Sequence, residues 1–235
     1  MLSLLAAVAA GCTSPVATVD PSDRVSPHPG GVLRYVALGD SYTIGTGVEP
    51  TERWPDQLVA TLAAPMPVDP PLELVGNLGV NSFTSADLIR VELPRLDDLR
   101  PGFVSLLIGV NDVVQGVPAS RFEANAARIL DELVARVGAD RVLVVTTPDY
   151  TVTPAGRQFG DPATMSAGIR RNNDILVEEA KARGIVVVDI FDISLDAAAD
   201  PTLIAGDGLH PSGAQYARWV ERIAPTVSGL LGDTR

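Results

Sequence analysis

Five short apolar runs, at 33–38, 72–78, 103–108, 142–147 and 185–190, limit what this chain can fold into more than any other feature. The runs are largely continuous and do not alternate apolar with polar, the pattern of strands covered on both faces. Amphipathic segments lie between them, around 56–62, 85–93, 121–137 and 165–183, and a last one at 212–231 closes the chain. Strands alternating with helices predict an α/β domain, a parallel sheet sandwiched between helices. No repeat or second charge block marks another domain, so residues 31–235 are expected to form one unit. With 46% apolar and 20% charged residues, the 235-residue chain has material for one core and lacks the composition of a disordered polymer.

Charge narrows the partners. Lys and Arg number 18 against 29 Asp and Glu, a net charge of −11. Nucleic acid is therefore excluded as an expected partner, because binding phosphates requires a basic surface.

The N-terminus points to export. Residues 2–10 are apolar, too few to span a bilayer, which takes roughly 20, but suited to the core of a signal peptide. Ala9-Ala10-Gly11 directly before Cys12 resembles a bacterial lipobox, whose cysteine is lipidated. Residues 1–12 are read as this leader, with Cys12 as a membrane tether. An ordinary secretory signal with a chance cysteine stays open. The first reading puts the protein at the outer face of the cell membrane, the second makes it secreted. Residues 13–30, rich in Ser, Pro, Thr, Asp and Gly, read as a flexible linker in which His28 is solvated. A single cysteine excludes an internal disulfide.

Sheets of this kind bind ligands at the carboxyl ends of their strands. Gly39-Asp40-Ser41-Tyr42, Gly79-Val80-Asn81-Ser82 and Gly109-Val110-Asn111-Asp112 follow the first three runs, and Gly206-Asp207-Gly208-Leu209-His210-Pro211 precedes the last helix. Four polar or glycine-containing clusters should thus meet on one rim. A serine hydroxyl needs a base to become a nucleophile. His210 is the one histidine outside the linker, and Asp207, three residues earlier, can orient its ring. A tetrahedral intermediate then needs donors for its oxygen, which the N–H of Gly79, the Asn111 amide and the Ser41 N–H can offer.

Gly39-Asp40-Ser41, the glycine at Gly79, Gly109-x-Asn111-Asp112 and Asp207-x-x-His210 occur in the order of the four blocks of the SGNH/GDSL hydrolases, which the chain resembles from about Gly31 to Leu231. The resemblance implies a flavodoxin-like three-layer α/β/α sandwich with a five-stranded parallel sheet. It implies Ser41 as nucleophile, His210 as base, Asp207 as its orienting acid, and Ser41, Gly79 and Asn111 as oxyanion hole. Asn81 has no counterpart role. The competing nucleophile elbow, G-x-S-x-G, is absent because Thr43 occupies its last glycine position.

The expected activity is that of a serine esterase forming an acyl-enzyme on Ser41, with no cofactor or metal. Small-molecule, lipid and carbohydrate esters are all candidate substrates. Deacetylation of a carbohydrate, lysophospholipase or thioesterase activity and acyl transfer remain alternatives. A binding lipoprotein that had lost activity is the non-enzymatic one, though Ser41, Asp207 and His210 are all retained. Because an unperturbed imidazole titrates near about 6.5, activity should fall on acidification. Asp40 and Asp112 read as capping groups, Asp97-Asp98 and Glu178-Glu179 as solvated surface, and Trp54 and Trp219 as packing residues. The long stretch 146–163 is expected to border the substrate pocket and act as a lid. Tyr42, Phe83, Val113, Val114, Tyr150 and Leu209 are its expected lining.

Overall fold

The computed structural model describes residues 31–232. The expected leader with Cys12, the linker with His28, and residues 233–235 lie outside the described residues. Five strands, β1 (Leu33–Gly39), β2 (Leu72–Asn77), β3 (Phe103–Leu107), β4 (Val142–Val145) and β5 (Val186–Val188), form one sheet in the order β2-β1-β3-β4-β5. Every neighbouring pair is parallel. This is the flavodoxin-like order, whose direction reverses between β1 and β3 and opens a crevice at their carboxyl ends. Four strands stop one or two residues short of their apolar runs, where the chain leaves the ladder to build the loops above that crevice. β1 instead runs on to Gly39.

Successive strand residues point to opposite faces, and both faces are buried. Tyr35, Ala37, Leu143 and Val145 pack under α2 (Trp54–Ala63), α8 (Phe191–Leu195) and α9 (Gly213–Gly232). Val36, Leu38, Val142 and Val144 pack under α3 (Ser85–Val91), α6 (Ala119–Val137) and α7 (Pro162–Ala182). The buried stripe of α6, Phe122, Ala126, Ile129, Leu130 and Leu133, keeps the helical spacing that the sequence shows. Trp54 and Trp219 are fully buried in the first cluster, as packing residues should be. Burial of each large apolar side chain contributes about 1.5–3 kcal/mol, so the rim above this double core rests on a stiff base.

Four short helices complete the chain: α1 (Ser41–Ile44), α4 (Leu96–Leu99), α5 (Val110–Val114) and α8. They are too short to display a period, and only the start of α1 was visible as a pattern. The stretch 146–163 is also more structured than its sequence indicates. Asp149 Oδ1 accepts the Thr151 N–H at 2.9 Å, Thr153 Oγ1 donates to the Tyr150 carbonyl at 2.7 Å, and the Ala155 N–H reaches the Gly208 carbonyl at 3.0 Å. Tyr150, Thr151, Thr153 and Gly156 are buried. Residues 157–161 form the exposed tip of the stretch.

Candidate active site

The first element of the site is the turn out of β1. Gly39 has a φ of 153°, and a side chain there would meet the Leu107 carbonyl oxygen at 2.2 Å and Thr43 Oγ1 at 2.3 Å. Only glycine lets the chain turn this tightly. Asp40 caps α1, with Oδ1 accepting the Tyr42 N–H at 3.0 Å. Ser41 follows as the first residue of the helix, with 7% of its surface exposed. Its N–H stands in the open first turn, where helical donors lack intrahelical partners. Burial pushes the Asp40 carboxyl up to about 7; the Tyr42 N–H opposes this and the Asp112 charge adds to it.

Two further loops close on that turn. Gly79 lies so near α1 that a side chain would meet the Asp40 carbonyl oxygen and the Ile44 nitrogen, both at 2.7 Å. Its N–H makes a long bond of 3.3 Å to Asn77 Oδ1, while Asn77 Nδ2 donates to the Thr43 carbonyl at 2.7 Å. Asn111, in the first turn of α5, donates from Nδ2 to Asp40 Oδ2 at 3.3 Å and to the Phe83 carbonyl at 3.1 Å. One amide thus joins the loops after β1, β2 and β3. Asp112 beside it is buried and accepts from Ser85 Oγ at 2.5 Å and the Ser85 N–H at 2.9 Å, fastening the start of α3. Both aspartates therefore hold helix starts, in line with the capping role read from the sequence. Asn81 bonds Thr46 Oγ1 at 2.5 Å across the mouth of the same loops.

The fourth element is a small closed loop before α9. Ile204 and Pro211 form an antiparallel bridge, and the Ala205 N–H reaches the His210 carbonyl at 2.7 Å. Inside it, Asp207 Oδ1 accepts the N–H groups of Leu209 and His210 at 2.9 and 3.0 Å, and Oδ2 lies 2.6 Å from His210 Nδ1. Burial works against the Asp207 charge, but these bonds from His210 and Leu209 hold its carboxyl below the usual range. With Nδ1 committed to the carboxylate, Nε2 is the ring position open to a proton. The ring lies 5.4 Å, centroid to centroid, from Tyr42, the residue after Ser41. The structure therefore gathers Ser41, Gly79, Asn111, Asp207 and His210 on one rim. No hydrogen bond joins the Ser41 hydroxyl to His210 among the described residues, and such contacts commonly tighten only when substrate is bound. Among the described residues no group of three or more His, Cys, Asp or Glu is placed to share a metal ion.

The model of the GDSL-like lipase/acylhydrolase family matches residues 37–218. The chain belongs to that family. Membership makes it an ester-hydrolysing enzyme. Similar solved structures include the acetylxylan esterase from Geobacillus stearothermophilus, at 20% identity and a TM-score of 0.65 over 86% of this chain and 97% of that one. The lipase/acylhydrolase from Enterococcus faecalis matches at 20% identity and 0.65 over 86% and 99%. A member of the lipolytic G-D-S-L family from Veillonella parvula matches at 15% and 0.65 over 82% and 96%. These likenesses confirm the fold. The chain matches no curated protein sequence.

In this GDSL hydrolase a cleft opens beside His210. Tyr42, Tyr150 and Leu209 line it together with Pro148 and Pro211. Phe83, Val113 and Val114 do not line this depression. Phe83 contributes its carbonyl to Asn111 instead. Residues 110–114 form a helix, so Val113 stands about 200° around the axis from Asn111. Its side chain meets α7, where a Cβ on Gly168 would lie 2.7 Å from it. The Tyr150 hydroxyl is buried with no hydrogen-bond partner among the described residues. Burial, with the charge of Asp149 adding to it, pushes this phenol up to about 12, so it remains a donor at neutral pH.

Two residues of the site escape a reading of the sequence. Asn77 orients Gly79 from the last position of β2, and Glu92 accepts the Gly39 N–H at 2.9 Å. A polar residue inside an apolar run and an acid between Val91 and Leu93 are unusual, but neither shows what it binds.

Proposed function

We propose that this GDSL hydrolase is a serine esterase working through an acyl-enzyme on Ser41. The observation that carries the reading is the His210–Asp207 pair, 2.6 Å apart in a loop whose ring packs against the residue next to Ser41. His210 takes the Ser41 proton as the hydroxyl oxygen attacks the ester carbonyl, and Asp207 stabilises the imidazolium. The N–H groups of Ser41 and Gly79 and the Asn111 amide receive the oxyanion. His210 then protonates the leaving alcohol, and water, activated by the same ring, releases the acid. No step calls for a metal or cofactor.

An acetylated carbohydrate is the second reading, favoured by the acetylxylan esterase fold neighbour. Export and lipidation at Cys12 complete the proposal and rest on residues 2–12 alone; loss of membrane association in Cys12→Ala cells would support the tether, and unchanged fractionation would refute it.

Fluorophosphonate labelling, mapped by mass spectrometry, tests the mechanism. One adduct on Ser41, absent in Ser41→Ala together with at least about 10⁴-fold of the esterase activity, is the expected result. A folded protein without that adduct would leave the serine mechanism without support. A p-nitrophenyl ester series tests the second reading: the highest kcat/KM for acetate would support it, and a maximum at eight carbons or more would contradict it.

A further inference from the structure

On the α3–α6 side of the sheet lies a carboxyl group that this mechanism does not use. Glu92 closes α3, its own N–H bonding the Leu88 carbonyl, and only 1% of its surface is exposed. Leu88, Leu93 and Leu96, its neighbours along the chain, belong to the buried cluster of that face. An acid there is costly where an apolar residue would pack without penalty. Its contacts show what it does. Pairing of β1 with β2 ends at Ala37 and Asn77, so the strand ladder offers no acceptor to the Gly39 N–H on that side. Glu92 Oε2 supplies one at 2.9 Å across 53 residues of sequence, while Oε1 has no partner among the described residues. The Gly39 carbonyl is held separately by the Val80 N–H at 3.3 Å.

We propose that Glu92 is a positioning residue for the nucleophile, completing the β1 ladder at Gly39 so that Asp40 and Ser41 leave the sheet in one fixed direction. It touches no substrate, and the inference rests on the serine mechanism proposed for Ser41.

Burial pushes the Glu92 carboxyl up to about 9; the Gly39 N–H opposes this and the charge of Asp40 adds to it. Asp40 faces it from the β1 turn. Asp112 is tied up with Ser85 at the far end of α3. Asp87 and Arg90 on α3, Arg95 beyond it, and Arg121, Glu123 and Arg128 on α6 occupy more exposed positions. Below about pH 9 the group is thus a neutral acid offering one acceptor oxygen, which a glutamine amide also offers. Because the folded value lies above the unfolded one, its contribution to stability is full below the ordinary glutamate range. That contribution is lost progressively as pH rises from there to about 9.

Wild type, Glu92→Gln and Glu92→Met are compared for p-nitrophenyl acetate hydrolysis, fluorophosphonate labelling of Ser41 and thermal unfolding from pH 5 to 9. Glu92→Met keeps the volume and removes the acceptor. It should keep KM within about twofold and lose about 10–10²-fold in kcat and labelling rate, as expected for a misplaced reacting group. Glu92→Gln should recover most of kcat and lose less Tm between pH 5 and 9 than wild type does. A folded Glu92→Met with wild-type kcat overturns the inference, and so does a Glu92→Gln as slow as Glu92→Met. Should Glu92→Met not fold, the glutamine variant decides alone: near wild-type kcat with a flatter pH dependence of Tm supports the inference, and a kcat loss of about tenfold or more overturns it. Wild type unlabelled at Ser41 defeats the serine mechanism itself, whereas labelled wild type with an unaffected Glu92→Met defeats the role of Glu92 only.

Discussion

The turn that carries Ser41 is buried and fastened from far along the chain: Gly39 by Glu92, 53 residues away, and Asp40 by Asn111, 71 residues away. The loop that carries His210 is partly exposed, and the bonds to Asp207 within it span two or three residues. One half of the site is a product of the whole fold, the other of a single closed turn. Damage to the base loop should therefore affect chemistry and spare stability, while damage around the nucleophile should affect both.

The largest separation of the two effects is expected at Asp207. Asp207→Ala should lower kcat about 10²–10⁴-fold, because the ring loses its orienting partner, yet shift Tm by no more than about 3 °C, since the loop is small and local. A Tm loss as deep as that of a core truncation would break the comparison. Asn111→Ala comes next, at about 10²–10³-fold in kcat. It should also cost about 1–3 kcal/mol in denaturant unfolding, because Asp40 and Phe83 lose their shared donor; unchanged stability would mean that the three loops are not joined through this amide. The smallest effect is the pH dependence of Asp40. With its carboxyl raised to about 7 by burial, the native state keeps a proton that the unfolded chain gives up at lower pH. Stability should therefore fall as pH rises from the ordinary aspartate range to about 7. In Asp40→Asn the drop in Tm between pH 5 and pH 8 should shrink by about 2–4 °C, and an unaltered slope would assign it to other groups.

This contrast also explains what could be read before the fold was known. Asp207-x-x-His210 is legible because its partners share one turn, and Gly39-Asp40-Ser41 because glycine and a capping acid leave a local trace. The alternating burial of Tyr35, Val36, Ala37 and Leu38 shows why a continuous apolar run marks a strand between two layers. Glu92 and Asn77 leave no such trace, since their partners are chosen by strand pairing and helix packing across long separations. The directions of Val113 and Val114 leave no local trace for a related reason. Five residues of helix show no period, yet they decide which way a side chain points.

Both hydrogens of the Asn111 amide are already engaged in the resting protein, by Phe83 at 3.1 Å and more loosely by Asp40 at 3.3 Å. A neutral ester oxygen is a weaker acceptor than an ionised one and gains little by displacing either bond. An oxygen bearing a full negative charge gains far more. In the proposed mechanism the amide would then behave as a rectifier, indifferent to the arriving ester and responsive once charge has built up, so that its pull lowers the barrier without deepening the well before it.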